Sequence, residues 1–140
     1  MSSAAKQFAS TQTAPRAQRV TGIVLTLLVV LFMLFDAVGK FMMPEQVVQA
    51  FVRLGFPASL GISLGILLTV CTVAYAIPRT AVLGAVLLTG YLGGAVAIQM
   101  RAGSPAFETV FPLIFGVLTW AGILLRDPLL RRVFPVHQAR

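Results

Sequence analysis

An all-α membrane bundle of four transmembrane helices is the fold class this sequence predicts, and three observations predict it. Four apolar stretches, Val20–Met42, Ser59–Ile77, Thr80–Met100 and Phe107–Leu125, take up most of the 140 residues. A hydrocarbon core of ~30 Å needs ~20 helical residues at 1.5 Å rise each, and all four stretches come close to that length. Apolar residues make up 58% and charged residues 11% of the chain, against ~45–50% and ~25% in soluble domains. Finally, the basic residues alternate between the ends of the stretches in the way membrane topology requires.

Residues 1–19 are rich in Ala, Ser, Thr and Gln and lack an apolar period. They read as a disordered cytoplasmic tail. The first stretch runs apolar to Phe35 and then carries Asp36 and Lys40. It is longer than the ~7–15 residues of a signal peptide core and ends without a small-residue cleavage site, so it is expected to stay as a helix. Pro44 opens a short amphipathic segment to Leu54, with Val47, Phe51 and Leu54 at helical spacing. Proline followed by Glu45 suits a first helical turn. The segment is expected to lie in the outer interface, and Gly55-Phe56-Pro57 turns the chain back.

The second stretch carries Gly61, Gly65, Thr69, Thr72 and Ala76 at steps of four or three. The third carries Ala81, Ala85, Thr89, Gly93 and Ala97 at steps of four, with Gly90 and Gly94 as a GxxxG pair. Small residues on one face let helices approach closely in lipid. Both stripes are expected to face helix neighbours, and Gly93 to be packed. Only Ile77-Pro78-Arg79-Thr80 joins the two stretches, so they form an antiparallel hairpin. The fourth stretch holds Pro112 early and Trp120 late. Asp127-Pro128 reads as an N-cap with proline at the first helical position. A short basic helix, Pro128–Phe134, is expected to follow within a basic cytoplasmic tail, 127–140. The whole forms one transmembrane domain, 20–126, between two tails.

The net charge is +7. With alternating crossings, eight basic residues fall on one side: Lys6, Arg16, Arg19, Arg79, Arg126, Arg131, Arg132 and Arg140. Arg53 and Arg101 fall on the other, joined by Lys40 at the helix end. That asymmetry predicts N-in, C-in topology. It also accounts for the charge through an anionic leaflet, so no nucleic-acid partner is expected.

Cys71 is the single cysteine and His137 the single histidine. An internal disulfide, a bis-histidine haem and a Cys/His zinc site are therefore excluded, and no metal centre is expected. Nothing resembles a nucleophile with its base or a phosphate loop, so no catalytic residue is assigned. Acid–base chemistry would have to use Asp36 or Glu108. Asp36 and Lys40 are four apart on one face and can pair. The sign rule places Gln99, Arg101 and Glu108 in the same outer half, with Tyr91 deeper. Asp36, Lys40, Tyr91, Gln99, Arg101 and Glu108 thus form the candidate site. They are either an ion-pair network tying helix ends together or an outward pocket for a small anion or a quinone head.

Several motifs carry a resemblance. Phe35-Asp36 with Lys40 and Pro44, Leu54-Gly55-Phe56-Pro57, the run Ile77–Ala85, Thr89-Gly90-Tyr91-Leu92-Gly93-Gly94-Ala95-Val96-Ala97 and Leu125-Arg126-Asp127-Pro128 keep an order and spacing that resemble the DoxX-like family. The resemblance spans roughly Val20 to Pro135. It implies a small four-helix protein of the bacterial inner membrane, mostly without an assigned activity. Relatives in the wider DoxX/DoxD group are linked to thiosulfate:quinone oxidoreduction and to membrane thiol-redox complexes. The family often has a histidine where Gln99 stands, and glutamine cannot relay a proton by titrating. The resemblance implies a fold and an envelope location and does not license an enzyme assignment. The main expectation is an accessory membrane subunit supporting redox partner proteins, linked to a quinone or a sulfur oxyanion, with no intrinsic cofactor. A small-molecule transporter resembling small multidrug exporters and a purely structural membrane protein are the alternatives. Homo-oligomerisation is left open.

Overall fold

A computed structural model describes residues 16–133. The described residues are helical almost throughout, with no strand among them. The helices are α1 (Arg16–Met42), α2 (Glu45–Leu54), α3 (Leu60–Ala76), α4 (Ala81–Arg101), α5 (Ala106–Arg126) and α6 (Pro128–Val133), with a 3-10 turn at Pro78–Thr80. Each expected apolar stretch has its helix, with ends moved by one residue or so except at the start of α1. There the helix begins at Arg16, so the last four residues of the expected irregular tail are helical. Arg16-Ala17-Gln18-Arg19 contains no helix breaker and continues the turn of the apolar run behind it. The rest of that tail, and residues 134–140 with His137, lie outside the described residues. α1, α4 and α5 are long and apolar enough to cross a membrane. α3 is apolar but shorter, at 17 residues.

The four long helices form a ring. α1 packs against α3 and α5, and α4 packs against the same two. The core runs along the ring axis through Val29, Met33 and Ala37 of α1, Leu68, Cys71 and Tyr75 of α3, Ala81, Ala85, Leu88 and Leu92 of α4, and Phe115 and Ile123 of α5. Large apolar side chains also cover the outside: Leu31, Phe35, Ile66, Val70, Leu83 and Val117 are all exposed. A soluble protein does not present such a surface, whereas a lipid-facing one does.

One end of the ring holds the α3–α4 hairpin, the start of α1 and the end of α5; we call it the hairpin end. Backbones touch there. A Cβ on Gly84 would run into the Tyr75 and Ala74 backbone, and one on Gly22 would lie 2.8 Å from the Arg126 nitrogen. Gly122 faces the Thr26 hydroxyl at 2.8 Å and the Tyr75 hydroxyl at 3.0 Å in the same way. Tyr75 is fully buried and donates to the Thr119 carbonyl at 2.8 Å. Buried Thr26, Thr72 and Thr119 return their hydroxyls to carbonyls four residues earlier, so each donor is satisfied within its own helix.

The small-residue stripe of α3 faces inward as expected from Gly61 to Thr72, while Ala76 is exposed. Gly61 and Gly65 are buried and admit Met43 and the Phe41 ring of α1. The stripe of α4 does not. Ala81 and Ala85 are buried, but Gly90, Gly93 and Gly94 have nothing within 4 Å of a built Cβ. The expectation that Gly93 is packed is therefore corrected. A step of four residues advances about 40° beyond a full turn, so a strict four-residue stripe winds off the contact face within three steps. The buried face of α4 instead runs through Ala81, Gly84, Ala85, Leu88 and Leu92.

Pro112 sits inside α5 without ending it. Its missing N–H leaves the carbonyl four residues back, that of Glu108, without the usual helical donor. After α5, Asp127 caps the next helix as its sequence suggested: Oδ1 accepts the N–H groups of Leu129 and Leu130 at 3.0 and 3.3 Å.

Candidate functional site

The opposite end, called here the α2 end, carries the six candidate residues or their immediate supports. Asp36 and Lys40 lie within the last two turns of α1, and their face is set by the i, i+4 spacing. The Lys40 ammonium donates to Asp36 Oδ2 at 2.5 Å. The lysine side chain is only 13% exposed and the aspartate 42%. The cation is therefore the more enclosed partner, and the carboxylate faces outward. The backbone of Lys40 is enclosed too, since its carbonyl lies 3.0 Å from where Gly61 would carry a Cβ.

One turn closer to the bundle centre on the same face is Phe32. Its ring stacks on Phe115 with centroids 4.1 Å apart and tilts against Phe111 at 5.3 Å. Phe111 also meets Phe115 and Phe107. These four rings form an aromatic floor beneath the ion pair, joining α1 to α5. The spacing Phe107, Phe111, Phe115 was visible in the sequence as a four-residue repeat, but nothing there named Phe32 as its partner. Tyr91 of α4 is half-buried and packs against the core.

The remaining candidates have other partners. Glu108 accepts from Arg53 Nη2 at 2.6 Å, tying the end of α2 to the start of α5. Arg53 stood outside the candidate set, and the sign complementarity of the two loops was the available signal. Arg101 donates to the Leu54 carbonyl at 2.9 Å. That contact needs the glycine at 55. Gly55 has φ +80°, a left-handed cap to α2, and a Cβ there would lie 3.1 Å from the Arg101 guanidinium. Gln99 Oε1 is buried and unpaired, as is Ser104 Oγ, whose own N–H bonds the Gln99 carbonyl at 3.0 Å.

The six positions therefore divide by role. Asp36 and Lys40 pair with each other one turn beyond the aromatic cluster, and Tyr91 packs on the core. Arg101 and Glu108, with Arg53, fasten α2 across the end. Among the described residues no group of three or more His, Cys, Asp or Glu side chains could hold a metal ion. A separate groove on α5, lined by Gly116, Val117, Trp120, Ala121 and Leu124, is almost entirely hydrocarbon. It contains none of the six, and its geometry suits lipid rather than chemistry.

The ring of apolar helices, the lipid-like exterior and the charged residues kept to the two ends define a multi-pass α-helical membrane protein. The DoxX-like family matches residues 24–122, and the chain belongs to that family. No curated protein and no solved structure matches the chain significantly.

Proposed function

We propose that this chain is an accessory subunit of a membrane redox system in the bacterial inner membrane, and that it binds a quinone head or a small sulfur oxyanion at the α2 end. In this reading all four long helices cross the bilayer with both termini in the cytoplasm. Helix α3 covers about 26 Å, a little less than the hydrocarbon core, and the adjoining loops supply the rest. The basic asymmetry supports the orientation. A reporter fused after Arg140 is expected to behave as cytoplasmic and one inserted near Gln49 as periplasmic; reversal of both would overturn it.

The observation that carries the functional reading is the enclosed Lys40 ammonium, paired with the outward-facing Asp36, one turn beyond the cluster of Phe32, Phe111 and Phe115 rings. A quinone head offers a flat ring to an aromatic surface and carbonyl acceptors to an ammonium or a tyrosine hydroxyl. An oxyanion would use the ammonium alone. The pairing of Asp36 counts against the exporter alternative, which relies on an unpaired carboxylate deep in the first helix.

Removing one member of an enclosed pair leaves its partner uncompensated, so Asp36→Asn and Lys40→Met should each destabilise the protein, and the double variant should recover part of the loss. Binding is read separately, by titrating a quinone analogue or thiosulfate against the recovered double variant. Loss of binding with the fold restored supports the proposal. Binding that survives makes the pair structural only.

A further inference from the structure

Helix α2 is attached to the bundle differently at its two ends. At its start, Met43 turns the chain out of α1 with φ +46°, a left-handed conformation that residues with a Cβ rarely hold. Its N–H still bonds the Gly39 carbonyl at 2.9 Å, and its thioether sits against Gly61, in the space a Cβ there would fill. That seat holds the strained corner in place. At the far end the fastenings are polar and exposed. Arg53 reaches Glu108 at 2.6 Å, and the Leu54 carbonyl accepts from Arg101 at 2.9 Å. Behind them, irregular residues 55–59 leave slack before α3, and Gly55 already has φ +80°.

Between its ends α2 lies across the mouth of the ring. Val47 is 3.9 Å from where Gly39 of α1 would carry a Cβ, while Arg53 and Leu54 meet α5 and α4. Yet the core that joins the four long helices takes no residue from α2. Its one buried side chain, Phe51, faces the Phe56 ring of the following turn, with centroids 6.2 Å apart. A segment with few buried apolar contacts and water-exposed bonds opens at lower cost than the structure as a whole.

We infer that α2 is a strap over this end of the bundle, pivoting at Met43 and latched at Arg53 and Leu54, which opens while the ring stays closed. Relaxation of Met43 to an ordinary backbone conformation favours opening. The seat on Gly61, the burial of Phe51 and the two latches oppose it. A helix of 10 residues is a rod of about 15 Å, so a turn of about 30° at the pivot moves its latched end by about 8 Å. The device is independent of what this end of the protein binds.

The test measures distances between spin labels on the full chain in detergent, with Cys71→Ala as background. Val52→Cys, exposed near the latched end of α2, is paired with Val110→Cys, exposed on α5. Ile62→Cys, exposed on α3, paired with Val110→Cys reports the ring alone. The strap pair should show a short and a longer distance. Arg53→Gln should raise the share of the longer one about twofold, as expected for a half-exposed ion pair, and high salt should act in the same direction. Met43→Ala, which keeps the strained corner but removes its thioether seat, should also raise it. The ring pair should keep one distance throughout. A single unchanged distance for the strap pair in all variants would overturn the strap. So would a longer distance whose share ignores both Arg53→Gln and Met43→Ala. Parallel lengthening of both pairs would show that the whole end of the ring opens, and would overturn it too.

Discussion

The two ends of this bundle are held together by different means. At the hairpin end, glycines at 22, 84 and 122 bring backbones into contact, and the buried hydroxyls of Tyr75, Thr26, Thr72 and Thr119 have their partners inside the protein. At the α2 end Gly61 also brings α3 close to the Lys40 carbonyl, but α2 itself is fastened by long side chains, through the Arg53–Glu108 pair and the Arg101 bond to the Leu54 carbonyl. Contact between backbones leaves no room for a ligand. At the α2 end two buried oxygens, of Gln99 and Ser104, are left without hydrogen bonds. The difference separates an end fastened by buried, fully satisfied contacts from an end fastened by long, partly exposed side chains.

The sharpest way to break this contrast is to place the same methyl group at two glycines of one helix. Gly84→Ala drives a Cβ into the backbone of Tyr75 and Ala74, which cannot move aside as a side chain can. It should cost about 3 kcal/mol or more, at or beyond the usual range for overpacking. Gly93→Ala meets nothing within 4 Å and should be neutral or slightly stabilising, because alanine favours helix. Thermal unfolding in detergent measures both. Equal losses would mean that the glycine face of α4 is covered in the folded protein.

A smaller effect is expected from Tyr75→Phe. The ring stays, but the bond to the Thr119 carbonyl is lost, at a cost of about 1 kcal/mol. Urea unfolding in mild detergent would read it. A loss as large as that of Gly84→Ala would show that the hydroxyl, rather than backbone contact, secures this end.

The smallest effect belongs to the α2 end. Arg53 is half-exposed, and Arg53→Gln should lower stability by no more than about 0.5 kcal/mol, less in high salt. Proteolytic nicking within α2 should rise nonetheless, because the tether to Glu108 is gone. Unchanged nicking would mean that the Arg101 bond to Leu54 is enough to fasten α2.

Much of the architecture was legible because hydropathy and length report solvent directly. The apolar stretches, the short helix before Leu54 and the Asp127 cap with Pro128 behind it all rest on local rules. The Asp36–Lys40 pair was legible for the same reason, its spacing being a property of one helix. The facing of α4 was not. Every side of that helix is apolar or small, so polarity carries no sign of which side is inward, and the four-residue stripe pointed to Gly93 when Leu92 is the buried neighbour. Tyr75, Phe32 and Arg53 were missed because their partners lie on other helices, at Thr119, Phe115 and Glu108. Local spacing holds no information about such pairs.

The Tyr75–Thr119 bond joins α3 to α5, two helices that face each other across the ring rather than side by side. A link across the diagonal acts as a pivot. While it holds, the helices cannot separate evenly along their length; they can only splay, with the hairpin end as the fulcrum and the α2 end as the moving tip. A tilt of about 5° in a rod as long as α3, about 26 Å, shifts its far end by about 2 Å. That is enough to change how closely Gly61 of α3 approaches the Lys40 carbonyl while leaving Gly84 and Gly122 in register. The leverage runs one way, so motion at the α2 end costs little disruption of the end where the backbones meet.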